Sequence, residues 1–266
     1  MALNERVIID RHDHVAHVRM VRTDRANSLD LQMFQALIAA GEEIIADPAI
    51  RAVILSGDGS GFCAGIDFAV LQAMQGGSIA GITDLSAPTH GICNLFQYAA
   101  FVWQKVPVPV IAAVHGYALG GGLEIALGAD IRYVTPDAKF AVKEVVMGLI
   151  PDVGGIVYMR DLARPDLVRE LMFTGREFDG TAATEYGLAT RVMDDPLAGA
   201  WQTAREIATK SPDAIRALKR MATLGNDARY QPFFLAEGME QQSLVGTKNQ
   251  TEAVHAYLEK RPANFN

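Results

Sequence analysis

Apolar and polar residues alternate from Val7 to Val21, with many β-branched side chains. That period predicts one or two half-buried strands. The period then changes. After Asn27-Ser28-Leu29-Asp30, the residues Leu31, Phe34, Leu37, Ile38 and Ile44 recur at helical spacing. Gly41 interrupts the stripe where an apolar side chain is due, and Asp47-Pro48 ends it. Ala52-Val53-Ile54-Leu55-Ser56 is a short, nearly unbroken apolar run, as in a parallel strand covered on both faces. Gly57 to Gly61 reads as a turn, Ile66 to Met74 as a helix, and Gly76 to His90 as a mobile loop.

The second half repeats the plan. Val110 to Val114 reads as a buried strand, followed by a glycine-rich turn and a helix from Gly121 to Leu127. Ile131 to Val134 and Phe140 to Val142 read as short strands. From Gly154 the pattern is mostly helical. Ser211-Pro212-Asp213 combines a side-chain cap with proline at a position that needs no N–H. A last helix spans about Thr251 to Lys260. Strands alternating with helices predict an α/β core, then a helical C-terminal part.

Composition narrows the class. The chain has 266 residues, with 24 Lys and Arg against 31 Asp and Glu, a net charge of −7. That length supports one substantial core. The acidic balance argues against nucleic acid as a partner. Cys63 and Cys93 form no disulfide framework and match no zinc spacing. His12, His14 and His17 share the first strands, but strand spacing brings no further ligand, so they read as solvated polar positions and no metal is expected. The uncharged run Val106 to Leu123 contains Pro107, Pro109, His115 and four glycines, with Glu124 directly after it. A lipid-facing helix is not built that way. The N-terminus shows no signal-peptide run, so the chain reads as soluble and cytoplasmic.

Two places join a strand, a glycine turn and a helix start: Phe62-Cys63-Ala64-Gly65-Ile66-Asp67, and His115 through the three glycines to Glu124. A helix N-terminus exposes unpaired N–H groups, and glycine lets another molecule approach them. Two such turns facing each other would aim two donors at one developing oxyanion. Other motifs do not fit. Gly57-x-Gly59-x-x leads to Phe62 rather than glycine, no Walker loop is present, and Ser60 lacks the flanking glycine of a nucleophile elbow. Three carboxylates, Glu124, Glu144 and Asp152, fall near the second turn. Each alone has a plain structural role: helix-dipole partner, surface acid, turn residue. Together they are candidate proton-transfer groups, since burial and like-charge crowding raise carboxyl pKa values.

These residues resemble the crotonase superfamily, the enoyl-CoA hydratases and isomerases. The resemblance starts at Asn27-Ser28-Leu29, runs through Phe62–Asp67 and the stretch from Pro109 to Glu124, and ends at Glu259-Lys260-Arg261-Pro262. It implies an α/β, crotonase-like spiral of ββα units over residues 1–195, with a helical oligomerisation region at 196–266 that builds trimers or dimers of trimers. It implies a CoA thioester as substrate and no separate cofactor. The resemblance places the oxyanion hole at the backbone N–H groups of Ala64 and Gly121. It assigns CoA contacts to Arg25, Ala26, Ala64, Ile66, Asp67 and Lys260, with Arg22 as a further basic group. An adenine-stacking aromatic before the last helix is not evident, and Gln241 falls about there. The region Ala69 to Tyr98 would line the acyl pocket.

The acids discriminate within the family. Glutamates at 124 and 144 are similar to those of hydratases, which activate water. Acids at all three positions, with Phe-Cys-Ala-Gly-Ile-Asp, Asp130-Ile131-Arg132-Tyr133 and Val142-Lys143-Glu144-Val145, are similar to dienoyl-CoA isomerases. There the acid matching Asp152 is the base and the acid matching Glu144 delivers the proton. The favoured expectation is such an isomerase. The alternatives are a trans-2-enoyl-CoA hydratase, another crotonase chemistry such as thioester hydrolysis or C–C cleavage, and a catalytically silent CoA-thioester-binding protein.

Overall fold

A computed structural model describes residues 2–3 and 5–265 of the chain. The strands are β1 (Ala2–Leu3), β2 (Val7–His12), β3 (Val15–Met20), β4 (Ala52–Gly57), β5 (Val110–Val114), β6 (Tyr117–Leu119), β7 (Ile131–Val134), β8 (Lys139–Ala141) and β9 (Arg191–Val192). The first helices are α1 (Leu31–Ile45), α2 (Phe68–Ala73), α3 (Leu95–Lys105) and α4 (Gly121–Leu127). They are followed by α5 (Gly155–Leu162), α6 (Pro165–Thr174), α7 (Gly180–Glu185) and α8 (Pro196–Ala208). The chain closes with α9 (Pro212–Ala222), α10 (Asn226–Leu244) and α11 (Lys248–Leu258).

The main sheet has the order β1-β2-β3-β4-β5-β7-β9. β1 to β3 pair antiparallel, and every pairing from β3 onward is parallel. β6 and β8 form a second, two-stranded parallel sheet. Every residue of β4 and β5 is buried, which explains their unbroken apolar runs. α1 and α3 contribute to the core on one face of the sheet. On the other face, Val15, Ala52, Ile54, Ile111 and Ala113 meet Ala200 and Ala204 of α8. The stretch after residue 195 therefore begins with a helix that completes the sheet's own core.

Several local readings change. Gly41 is a packing residue, because a Cβ there would sit 2.4 Å from a Val102 methyl of α3. α3 itself goes unpredicted, although Asn94 and Gln97 exchange the reciprocal bonds of a capping box. The glycine-rich turn hides β6. The helix read from Ile66 starts at Phe68, where the Asp67 side chain accepts the Ala69 N–H at 2.8 Å. The last helix begins earlier than predicted, with Thr247 as its cap.

His17 is not solvated. It is buried, its Nε2 lies 2.8 Å from the Ser56 hydroxyl, and burial pushes its pKa down to about 4. His14 bonds the Ala49 carbonyl at 2.9 Å. Among the described residues no cluster of His, Cys, Asp or Glu is arranged to hold a metal, and no helix is long and apolar enough to cross a membrane.

Candidate active site

The two glycine turns run side by side. Cys63 N–H donates to the Tyr117 carbonyl at 3.0 Å, and Leu119 N–H donates back to the Cys63 carbonyl at 3.0 Å. A Cβ on Gly65 would lie 2.6 Å from the Leu119 carbonyl oxygen, and one on Gly122 would lie 2.6 Å from that of Cys63. Glycine is required at both places so that backbone can press on backbone. The starts of α2 and α4 are thereby brought together.

One expected donor is already engaged. Ala64 N–H donates to the Ala26 carbonyl at 3.0 Å, so it is not available to a ligand. A backbone donor without such a partner lies two residues on. Leu29 N–H bonds the Gly65 carbonyl and Asp67 N–H bonds the Leu29 carbonyl, which leaves the Ile66 N–H between them without a backbone acceptor among the described residues. Ile66 lines the cavity, as does Gly121, the first residue of α4, whose N–H faces the Glu144 carboxyl.

That cavity encloses about 830 Å³. Its walls are largely apolar, with Leu29, Phe34, Leu71, Phe96, Met147 and Leu149. Ala69, Leu71, Ile79 and Phe96 come from the segment expected to line an acyl pocket. At its exposed end stand Arg25, Phe68 and Tyr257, the two rings stacked at 6.2 Å. Glu144, Asp152 and Gln241 are among the polar side chains of its lining.

The three candidate acids separate by position. Glu144 opens the single helical turn Glu144–Met147, and Asp152 lies in the loop before α5; both line the cavity. Burial pushes Glu144 up to about 7. Burial and then the nearby Glu144 charge push Asp152 up to about 7, against a hydrogen bond from Gln241. Glu124, 2% exposed, is not part of the cavity wall. Its Oε2 accepts the Val153 and Gly155 N–H groups, each at 2.7 Å, at the start of α5. Burial, then Glu144, Asp152 and Glu237, hold its pKa well above the ordinary range.

Of the remaining candidates, Arg22, Arg25, Ala26 and Asp67 line the cavity and Lys260 does not. Asp67 is locked in place by Arg22 at 2.6 Å and by the Ser28 hydroxyl at 3.1 Å. Arg22 also meets Asp30 at 3.5 Å, so its charge is matched internally. Arg25 is exposed, and Ala26 lines the cavity beside it. Lys260 is exposed beyond α11, outside the cavity wall. Gln241 is buried deep on α10 rather than placed beside an adenine pocket.

The sequence reading missed a further acid, Glu237, buried one turn before Gln241 on α10. Gln97 Nε2 approaches its Oε2 at 3.3 Å. The i, i+4 spacing of two polar residues was the available signal, but α10 carries no clear apolar stripe that would mark that face as buried.

The sequence and the fold have known counterparts. A family model described as enoyl-CoA hydratase/isomerase matches residues 10–266. The mitochondrial Delta(3,5)-Delta(2,4)-dienoyl-CoA isomerase of Mus musculus is 32% identical over 93% of this chain and 77% of its own length. A probable enoyl-CoA hydratase of Mycobacterium bovis is 30% identical over 98% of both chains. The crystal structure of carnitinyl-CoA hydratase from Mycobacterium avium superposes with a TM-score of 0.85 at 28% identity, covering 98% of both chains. With the family model spanning nearly its whole length, this chain belongs to the enoyl-CoA hydratase/isomerase family.

Proposed function

We propose that this enzyme shifts double bonds in acyl-CoA thioesters, as a dienoyl-CoA isomerase does. The observation that carries this reading is the separation of the acids. Asp152 and Glu144 line the cavity with pKa values near 7, while Glu124 is turned to the backbone of α5. In this account the thioester oxygen lies between the Ile66 and Gly121 N–H groups. The Asp152 carboxylate takes a proton from C2, the carbon next to the thioester carbonyl. The released electron pair delocalises to the thioester oxygen, and the two N–H groups stabilise that charge. The Glu144 carboxyl then gives a proton to the other end of the conjugated system, and the two acids reset through solvent. The step needs no cofactor beyond the CoA carried by the substrate.

A hydratase reading retains one supporting observation. The Glu124 and Glu144 carboxyls lie close enough to influence each other's ionisation, as a water-activating pair would. The two readings part in an ultraviolet assay with matched 3,5-dienoyl-CoA and trans-2-enoyl-CoA. Isomerisation creates conjugated-diene absorbance in the first. Hydration removes enone absorbance in the second.

The same proposal extends to assembly and setting. Leu218, Met221 and Met239 on the C-terminal helices, with Leu224 in the turn between α9 and α10, are exposed apolar side chains that suit a homotrimer or a dimer of trimers. Two buried, unpaired cysteines fit a reducing compartment such as the cytoplasm.

A further inference from the structure

We infer that Gln241 is a positioning residue that holds the Asp152 carboxyl in its ionised, cavity-facing form; this rests on the reading of Asp152 as the base.

Gln241 is 1% exposed and lines the cavity from α10. Its Oε1 accepts the Ile150 N–H at 3.1 Å. That bond settles which way the carboxamide faces. The oxygen is fixed on the Ile150 backbone, so the NH₂ is the end presented to Asp152, two residues further along the same loop. An NH₂ group can only donate, and a carboxylate accepts better than a neutral carboxyl does. The contact therefore favours the form of Asp152 that removes a proton.

The surroundings make that donor count. Asp152 is close enough to interact electrostatically with Glu144 from the helical turn, Glu124 from α4 and Glu237 from α10. None of these four acids forms an ion pair among the described residues, and the nearby Lys143 is paired with Glu177 at 2.9 Å. Burial and crowding all push Asp152 toward the neutral form. Gln241 is the side chain that opposes them. Burial and the nearby Asp152 also push the Glu237 pKa well above the ordinary range.

The test is a pH titration of Asp152 by NMR in protein labelled with [¹³Cγ]aspartate, the resonance being assigned by its loss in D152N. Gln241→Leu removes the donor and should move the Asp152 midpoint upward by about one to two pH units. Gln241→Glu is nearly isosteric and keeps the acceptor for the Ile150 N–H. It should move the midpoint in the same direction, which covers the case in which the leucine variant does not fold. The acid limb of kcat/KM for a 3,5-dienoyl-CoA should follow, with KM little changed. An unchanged Asp152 midpoint in a folded variant overturns the inference. A shifted midpoint with an unmoved rate profile supports it, and overturns instead the reading of Asp152 as the base.

Discussion

Proton affinity carries the account at the residue scale. Asp152 works as a base only when ionised, so activity should rise as pH rises through about 7. Glu144 works as an acid only when protonated, so activity should fall above about 7. The expected kcat/KM profile is a bell peaking near neutrality, measured from roughly pH 5 to 9, with limbs belonging to the pair rather than to either residue. A flat profile would contradict it. Glu124 spends its Oε2 on the backbone of α5 and stands outside the cavity wall, so Glu124→Gln should keep isomerisation within about tenfold, well short of losing a proton-transfer group. Glu124→Ala instead strips the Val153 and Gly155 N–H groups of their buried acceptor, at about 1–3 kcal/mol each in urea unfolding. The three acids were legible because each sits in or beside a recognisable motif. The Ile66 donor was not, because a motif's spacing does not reveal that the Ala64 N–H is taken by Ala26.

Backbone apposition decides matters at the scale of elements. The turn before α2 and the turn before α4 meet only because Gly65 has no side chain and adopts φ +84°. Gly65→Ala would strain that conformation and drive Cβ into the Leu119 carbonyl. It should destabilise the fold by about 1–3 kcal/mol and lower kcat more than it raises KM, because the Ile66 donor moves. Equal kcat in a folded variant would show that the apposition does not matter to the chemistry. β4, β5 and β7 were readable as strands and α4 as a helix, because buried apolar runs and glycine starts are local signals. α3 was not, since its Asn94–Gln97 cap follows a long irregular stretch that masks where the helix begins. Asn94→Ala should cost about 1 kcal/mol.

At the scale of the whole molecule, the sheet holds the two turns and the C-terminal helices reach back to them. α8 covers the sheet and α10 delivers Gln241 and Glu237 to the acids. No sequence period announces this, because a long-range contact depends on how helices pack and not on spacing along the chain. The apolar cavity predicts that an acyl-CoA stabilises the fold. At about 100 times its Kd the gain should be about 2.7 kcal/mol, read as a rise in Tm. Arg25→Glu, at the exposed end of the cavity, should weaken that gain without altering the unliganded Tm. The assembly is expected to have the mass of three or six chains by light scattering.

The role of Asp152 separates this account from its rival most sharply. The measurement is the rate of conjugated-diene formation from a 3,5-dienoyl-CoA by the wild-type protein and by Asp152→Asn, with acyl-CoA binding measured on both. The account predicts that turnover falls by about 10²–10⁴-fold while Kd stays nearly constant. Unchanged turnover in the variant would remove Asp152 from the chemistry. Absence of diene formation in the wild type, with hydration of a trans-2-enoyl-CoA surviving in both, would make Glu124 and Glu144 a hydratase pair and Asp152 a loop residue.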